Sequence, residues 1–295
     1  MDKLIDIDHV FKKHAPKTYK ALPRFIIKFI KKIIHQDEIN AFIEHAAGKK
    51  GYDFVKELIY YFDIKVKISG IENIDKNDKK LVFASNHPLG GFDGVCLIGV
   101  IHHFFGNVKA IVNDLLLNID GLKPVFTGVN VFGKLNKNQI KEVDQLYSSD
   151  TNILVFPAGE VSRKKKGVVS DSSWQKSFLT KAIEYKRNII PVFTDALNSK
   201  LFYFVSSFRR FWGIKANLEL FLLPKELFRF RGKTITFYFG QPISVSNFNN
   251  KAFLNEYIKQ IREKLYSLKQ NSSNILDFRQ IIENYSSEDN FENAI

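Results

Sequence analysis

Four short runs that are almost wholly apolar, at residues 81–84, 108–112, 153–156 and 189–193, most constrain what this chain can become. Each is too short for a helix and lacks a regular polar alternation, the pattern of a strand buried on both faces. Helical patterns at 138–147 and 174–185 lie between them. Strands alternating with helices build a mainly parallel sheet flanked by helices, so the expected fold class is α/β. Ile64, Val66 and Ile68 alternate as a half-buried strand that Gly70 ends, and 234–239 reads as a further strand. Leu254, Ile258, Ile261 and Leu265 then line one face of a closing helix.

Upstream of this alternation the pattern is helical. Pro23 stands where a first helical turn tolerates proline. Phe25, Ile26, Phe29, Ile30, Ile33 and Ile34 recur at helical spacing, with Arg24, Lys28, Lys31 and Lys32 on the other side. A basic amphipathic helix of this kind can lie in a membrane interface or dock as a surface helix on a core. Asp37 is placed to cap a second helix that Gly48 stops, and 52–62 reads as a third. Residues 1–20 read as a loose lead-in and the polar, acidic stretch from Ser286 as a frayed end. The expected organisation is an N-terminal amphipathic helical cap that associates with membrane over 1–63, an α/β domain over 64–268 and a polar tail over 269–295.

Charge narrows the partners. Lys and Arg number 44 against 31 Asp and Glu, a formal net charge of +13. Such a field favours anionic lipid headgroups, coenzyme A, an acidic carrier protein or nucleic acid; a merely solvated basic surface is the plain alternative. No zinc-finger spacing or base-reading module accompanies the charge, so nucleic acid is not expected. Cys96 is the single cysteine; it excludes a disulfide framework and a cysteine-rich zinc site and reads as a small buried hydrophobe. His102 and His103 are neighbours that fall on different faces, so no metal is expected. No run reaches the roughly 18 apolar residues of a membrane span. The first residues also lack the basic region and apolar run of an export signal, so a cytoplasmic chain is expected.

Two turns carry the chemistry. Asn86-His87-Pro88-Leu89-Gly90-Gly91-Phe92-Asp93 directly follows the first apolar run, which puts His87 at the C-terminal end of a strand, where parallel sheets place their sites. Gly90 and Gly91 permit a tight turn that brings Asp93 back toward the imidazole. A carboxylate on one ring nitrogen fixes the tautomer and leaves the other free to take a proton from a substrate hydroxyl or amine. A structural histidine is the alternative. The second turn, Phe156-Pro157-Ala158-Gly159-Glu160-Val161-Ser162-Arg163, follows another strand. Backbone N–H groups around Gly159, with Arg163, suit an anionic headgroup or phosphate, whereas Lys164, Lys165 and Lys166 read as a solvated run. Trp174 reads as packing the helix that follows it. Phe202, Phe204, Phe208, Phe211 and Trp212, with Arg209 and Arg210, suit an acyl-tunnel wall, lipid contact or plain core.

As a set, and over about 65–250, these motifs resemble those of the glycerolipid (lysophospholipid) acyltransferase family, whose first motif is Asn-His and, four residues on, Asp, and whose third is Phe-Pro-Glu-Gly-Thr-Arg. Ile190-Pro191-Val192 matches the family's apolar-proline fourth motif. Lys123, Thr127 and Gly128 fall in a stretch, Lys123 to Val129, placed where the acceptor-binding second motif is expected. Gly240-Gln241-Pro242-Ile243 also looks like the family. The resemblance implies that His87 is a general base for the acceptor hydroxyl and that Asp93 orients it. The hydroxyl attacks the thioester of acyl-ACP or acyl-CoA, a co-substrate, with no other cofactor. Amides near Gly90 or Gly159 face the oxyanion, and Asn86, Gly90, Gly91, Phe156, Pro157, Gly159, Glu160, Ser162 and Arg163 bind substrate.

This sequence departs from the family in two places. Five residues rather than four separate His87 from Asp93, and the paired glycines allow the turn to absorb the extra one. Ala158 stands where the family has glutamate and Glu160 where it has threonine, while the arginine reappears as Arg163. That motif binds the acceptor's phosphate in the family. Its rewriting points from lysophosphatidate toward the branch acting on lyso-aminolipids, such as lyso-ornithine or lyso-glycine lipids, and its relatives named hemolysins. The implied setting is the cytoplasmic face of the inner membrane, with the protein peripheral to it. The alternatives are an N-acyltransferase using the same dyad on an amine and a non-catalytic basic lipid-binding protein.

Overall fold

The structure, a computed structural model, describes residues 6–14, 16–129, 136–214, 217–248, 250–271 and 274–281. Five helices open the chain: α1 (Ile7–His14), α2 (Pro16–Ala21), α3 (Arg24–Ile33), α4 (Gln36–His45) and α5 (Tyr52–Tyr61). Then β1 (Lys65–Ser69), β2 (Val82–Ser85), α6 (Phe92–Phe105), β3 (Val108–Asn113), β4 (Phe126–Val129), α7 (Lys137–Ser148) and β5 (Asn152–Val155) follow. A hairpin of β6 (Arg163–Lys165) and β7 (Val168–Ser170) precedes α8 (Ser177–Glu184), β8 (Ile189–Asp195), α9 (Lys200–Phe211), α10 (Leu223–Arg229), β9 (Thr234–Phe239), α11 (Leu254–Ser267) and β10 (Leu276–Asp277).

The central sheet has the order β10-β1-β9-β8-β2-β5-β3-β4. The strands β8, β2, β5, β3 and β4 are parallel to one another, whereas β9 is antiparallel to β8 and carries β1 with it. The sheet is thus α/β and mainly parallel, as the alternation of apolar runs and helices implies. Its burial explains the runs. Leu81 and Phe83 face one core shared with α5 and α6, while Val82 and Ala84 face another shared with α8 and α11. A strand covered on both faces has no polar position left to alternate. Because β8, β2 and β5 are adjacent and parallel, the segments that follow Asp195, Ser85 and Val155 open on one edge of the sheet.

Several boundaries differ from those read in sequence. Helix α6 shows no amphipathic pattern because its residues from Phe92 to Ile98, with Val100 and Ile101, are buried; a helix apolar all round is a buried one. Gly99 lets it approach α5, since a Cβ there would lie 3.1 Å from Ile59 and 3.3 Å from Val55. Ile7–His14 and Pro16–Ala21 form helices rather than a loose lead-in. Asp37 lies inside the first turn of α4, and His35 takes the N-cap position in a left-handed conformation. Phe42, Phe54 and Phe62 belong to the main core, so α4 and α5 pack into the same core as the sheet. The polar tail drawn from 269 also fails locally: Leu276 and Asp277 pair with Ile68 and Lys67, and Phe278 is buried. The stretch from Ser286 lies outside the described residues.

Arg187 holds the end of α7. Its guanidinium, fully buried, donates to the carbonyls of Tyr147 at 2.7 Å, Thr151 at 2.8 Å and Leu146 at 3.2 Å, and to that of Ser149. A helix C-terminus leaves such carbonyls without partners and favours a cation.

Candidate active site

The turn after β2 is tied down before any functional group is considered. Asn86 Nδ2 donates to the Thr194 carbonyl at 3.0 Å, and Asn86 Oδ1 accepts from the Thr194 N–H at 2.7 Å. Asn86, expected to bind substrate, is therefore a buried clamp between β2 and β8. The Pro88 carbonyl accepts from Asn198 Nδ2 at 2.8 Å, and the His87 carbonyl accepts from the Ser162 N–H at 2.8 Å. The loop is thus fixed from both sides, by β8 with the segment after it and by the segment after β5.

Gly90 and Gly91 then turn the chain with φ of +71° and +109°, values that L side chains rarely adopt. A Cβ on Gly90 would also stand 2.6 Å from Val161 and 2.9 Å from Leu223, whereas Gly91 faces open space. The turn delivers Asp93 to the first helical turn of α6, where its carboxylate accepts from Leu89 N at 2.9 Å, Gly91 N at 3.2 Å and Gly94 N at 2.9 Å. His87 Nδ1 lies 3.1 Å from Asp93 Oδ1, without an aligned hydrogen bond; such contacts tighten when substrate is present. The histidine side chain is 16% exposed and the aspartate 0%. Burial pushes the Asp93 carboxyl up, but His87 and the N–H donors outweigh it and hold the group below the usual carboxylate range. The Phe156 ring covers one side of the imidazole, centroids 4.0 Å apart. Since Nδ1 faces the carboxylate, Nε2 is the nitrogen left to take a proton.

A second buried carboxylate holds the backbone of the same loop. Asp171 accepts from the His87 N–H at 3.3 Å, Ser162 Oγ at 2.5 Å and Trp174 Nε1 at 2.9 Å. Burial pushes its carboxyl above the usual range, and the Ser162 and Trp174 donors only partly offset this. Ser162 thus positions the histidine loop through its amide and hydroxyl. Trp174 packs edge-on against Phe178 of α8, in keeping with a packing role.

The remaining candidates divide. Gly159, at φ +66°, makes the turn after Phe156 and Pro157, but its own N–H donates to the Phe156 carbonyl at 2.9 Å and is not available to an oxyanion. Pro157 accepts from the Gln175 N–H, and Glu160 is exposed at the tip. Arg163 does not present a free guanidinium to an anion. It is buried, with Nε and Nη2 each 3.0 Å from Glu219 Oε1, and its guanidinium lies over Phe202. Glu219 also receives Arg209, at 2.5 Å from Nε and 2.9 Å from Nη2. Lys123, paired with Asp120, precedes β4, and two strands separate β4 from β2. With Thr127 and Gly128 it lines a cleft of about 540 Å³ against Glu142 and Gln145 of α7, away from the dyad.

Replacing Glu219 by glutamine is expected to destabilise the fold by about 3–5 kcal/mol, because it leaves two buried guanidinium groups without their counter-charge. Urea unfolding measures this; an unchanged midpoint would mean that Arg163 is free to take a ligand after all.

Among the described residues no cluster of His, Cys, Asp or Glu could hold a metal ion, and no helix is long and apolar enough to cross a membrane. His102 stacks on Tyr52 and His103 meets Phe278 edge-on. Cys96 is buried, and burial pushes its thiol well up, away from nucleophile chemistry.

Comparison with known proteins gives an independent view. The family model described as "Acyltransferase" matches residues 9–275. The lyso-glycine lipid O-acyltransferase of Bacteroides thetaiotaomicron is 40% identical over 266 residues, covering 90% of this chain and 97% of that one. The protein of the same name from Phocaeicola vulgatus is 38% identical over 266 residues, covering 90% and 95%. Among solved structures, the 1-acyl-sn-glycerophosphate (LPA) acyltransferase of Thermotoga maritima aligns over 83% of this chain and 92% of its own, at 15% identity and a TM-score of 0.46.

Proposed function

The chain belongs to the acyltransferase family, and from that premise we propose that it esterifies the hydroxyl of a lyso-aminolipid, foremost a lyso-glycine lipid, with a fatty acyl group from acyl-ACP or acyl-CoA. It is an O-acyltransferase of the glycerolipid acyltransferase type. The observation that carries the mechanism is the dyad: a half-buried imidazole whose Nδ1 lies 3.1 Å from a fully buried carboxylate, on a loop fixed from β8 and from the segment after β5.

The chemistry follows from that geometry. The acceptor hydroxyl places its proton on His87 Nε2 as its oxygen attacks the thioester carbonyl carbon. Asp93, held ionised, stabilises the imidazolium that forms. The tetrahedral intermediate collapses with cleavage of the C–S bond, and the leaving thiolate takes the proton back from His87. One ester and one free thiol result, and the imidazole is neutral again.

The acceptor assignment draws on the two relatives and on the second turn. With Arg163 paired to Glu219 and Glu160 exposed at the tip, the turn lacks the free cation that an acceptor phosphate would need. The enzyme works at an anionic membrane surface, peripheral to the cytoplasmic face of the inner membrane; the net charge of +13 and the exposed Phe25 and Phe29 on α3 support this setting. Initial rates with acyl-ACP and alternative acceptors test the reading. A kcat/KM for lyso-glycine lipid at least about tenfold above that for lysophosphatidate is expected, a modest 1.4 kcal/mol of discrimination. Preference for lysophosphatidate would overturn the acceptor assignment, and acylation of an amine would favour the N-acyltransferase alternative.

A further inference from the structure

Helix α9 leaves a row of aromatic rings uncovered. Phe204, Phe208, Phe211 and Trp212 are 64%, 50%, 84% and 65% exposed. They form a continuous row, with centroids 6.1 Å apart for Phe204 and Phe208, 6.1 Å for Phe208 and Trp212, and 5.7 Å for Phe211 and Trp212. The inward side of the same helix is separately satisfied by Phe202, Tyr203, Ser206 and Arg209, all buried. The core reading of this segment therefore holds for Phe202 and fails for the row. Phe221, 57% exposed, lies on the turn over Leu218–Leu222 that packs against α9. Rings gathered in this way on a soluble surface mark an interaction site.

The surroundings of the row say what it meets. Arg210 Nη2 donates to the Lys164 carbonyl at 3.0 Å, tying α9 to the β6–β7 hairpin. The hairpin turns through Lys166 and Gly167, at φ +47° and +86°, and leaves Lys164, Lys165 and Lys166 exposed. Aromatic rings bordered by lysines complement a bilayer whose headgroups are anionic and whose interface takes up indole and phenyl rings. The inward side of α9 reaches the turn that carries the dyad. Phe202 and Tyr203 pack with Val161, and Val161 and Leu223 are the residues that press on Gly90 in the catalytic turn.

The geometry points to α9 and the β6–β7 hairpin as the face by which the enzyme docks on an anionic bilayer, with its rings among the acyl chains and its lysines at the headgroups. This rests on the membrane setting proposed above and names the surface responsible. It also places the dyad beside the plane in which a lysolipid acceptor lies.

The chain's two tryptophans make the test direct, because Trp212 is exposed and Trp174 is buried. Full-length protein is mixed with vesicles of equimolar phosphatidylcholine and phosphatidylglycerol, with or without brominated acyl chains. Tryptophan emission is expected to shift to the blue and to be quenched by the brominated lipid. W212F should abolish the change while still floating with the vesicles. F208S/F211S should bind about tenfold more weakly or worse. K164Q/K165Q/K166Q should lose about fivefold per lysine on these vesicles and nothing on pure phosphatidylcholine. F208S/F211S should keep wild-type turnover with a short-chain, water-soluble lysolipid. Unquenched Trp212 with binding lost in F25S/F29S instead would overturn the inference, since α3 would then be the anchor. So would an absence of vesicle binding in a protein that sediments as a dimer and becomes a monomer in F208S/F211S. Binding is read without turnover, so a protein that docks this way yet transfers no acyl group would overturn the proposed function and leave this inference standing.

Discussion

Replacing His87 by alanine is expected to lower the rate of acyl transfer about 10²- to 10⁴-fold, the range for losing a general base, while the protein stays folded. The imidazole makes no aligned hydrogen bond of its own, and the loop is held through the backbone of His87 and the side chains of Asn86 and Asn198. Truncation therefore removes chemistry without removing the clamp. Thiol release from acyl-ACP gives the rate, and a thermal midpoint within a few degrees of wild type shows that the fold survives. Activity within tenfold of wild type would remove His87 as the base.

The Asp93→Asn variant is expected to lose comparable activity, about 10³-fold or more, because an amide can neither stabilise an imidazolium nor enforce the tautomer with Nε2 free. It should also be less stable near neutral pH, since the carboxylate accepts three backbone N–H groups that one amide oxygen cannot serve as well. The pH dependence carries a sign. The folded carboxyl lies below its ordinary value of 3.8. A group so depressed contributes stability that is present above that value and is lost as pH falls through the folded one. Wild type should therefore lose stability more steeply than Asp93→Asn on acidification below about pH 4. Parallel stability curves in urea unfolding would show that Asp93 is not held ionised by its surroundings.

Much of the sheet was legible because strands buried on both faces write uninterrupted apolar runs, as 81–84 and 153–156 do. The same burial hid α6: a helix covered on all sides has no polar stripe, and its glycines argue against a helix locally although Gly99 serves the contact with α5. The dyad was legible for a local reason. His87 and Asp93 lie on one turn whose glycines announce positive φ, so no long-range contact was needed to bring them together. The second turn misled for the opposite reason. Arg163 looks available from its neighbours in sequence, but its partner Glu219 arrives from a different segment, and a buried ion pair across 56 positions has no local signature. Asn86 is similar: its role depends on Thr194, 108 positions away. Likewise, which rings of 202–212 belong to the core could be told only once packing showed which ones α9 turns inward.

At the His87–Asp93 dyad one acyl group is expected to pass from a thioester to a lysolipid hydroxyl. Mass spectrometry of both products in a single reaction, with full-length protein, acyl-ACP and lyso-glycine lipid, follows that transfer. One O-acylated lipid for each free thiol is expected in wild type, and neither product above background in His87→Ala. Thiol release without an ester, an acyl group found on nitrogen, or equal product from both proteins would contradict it.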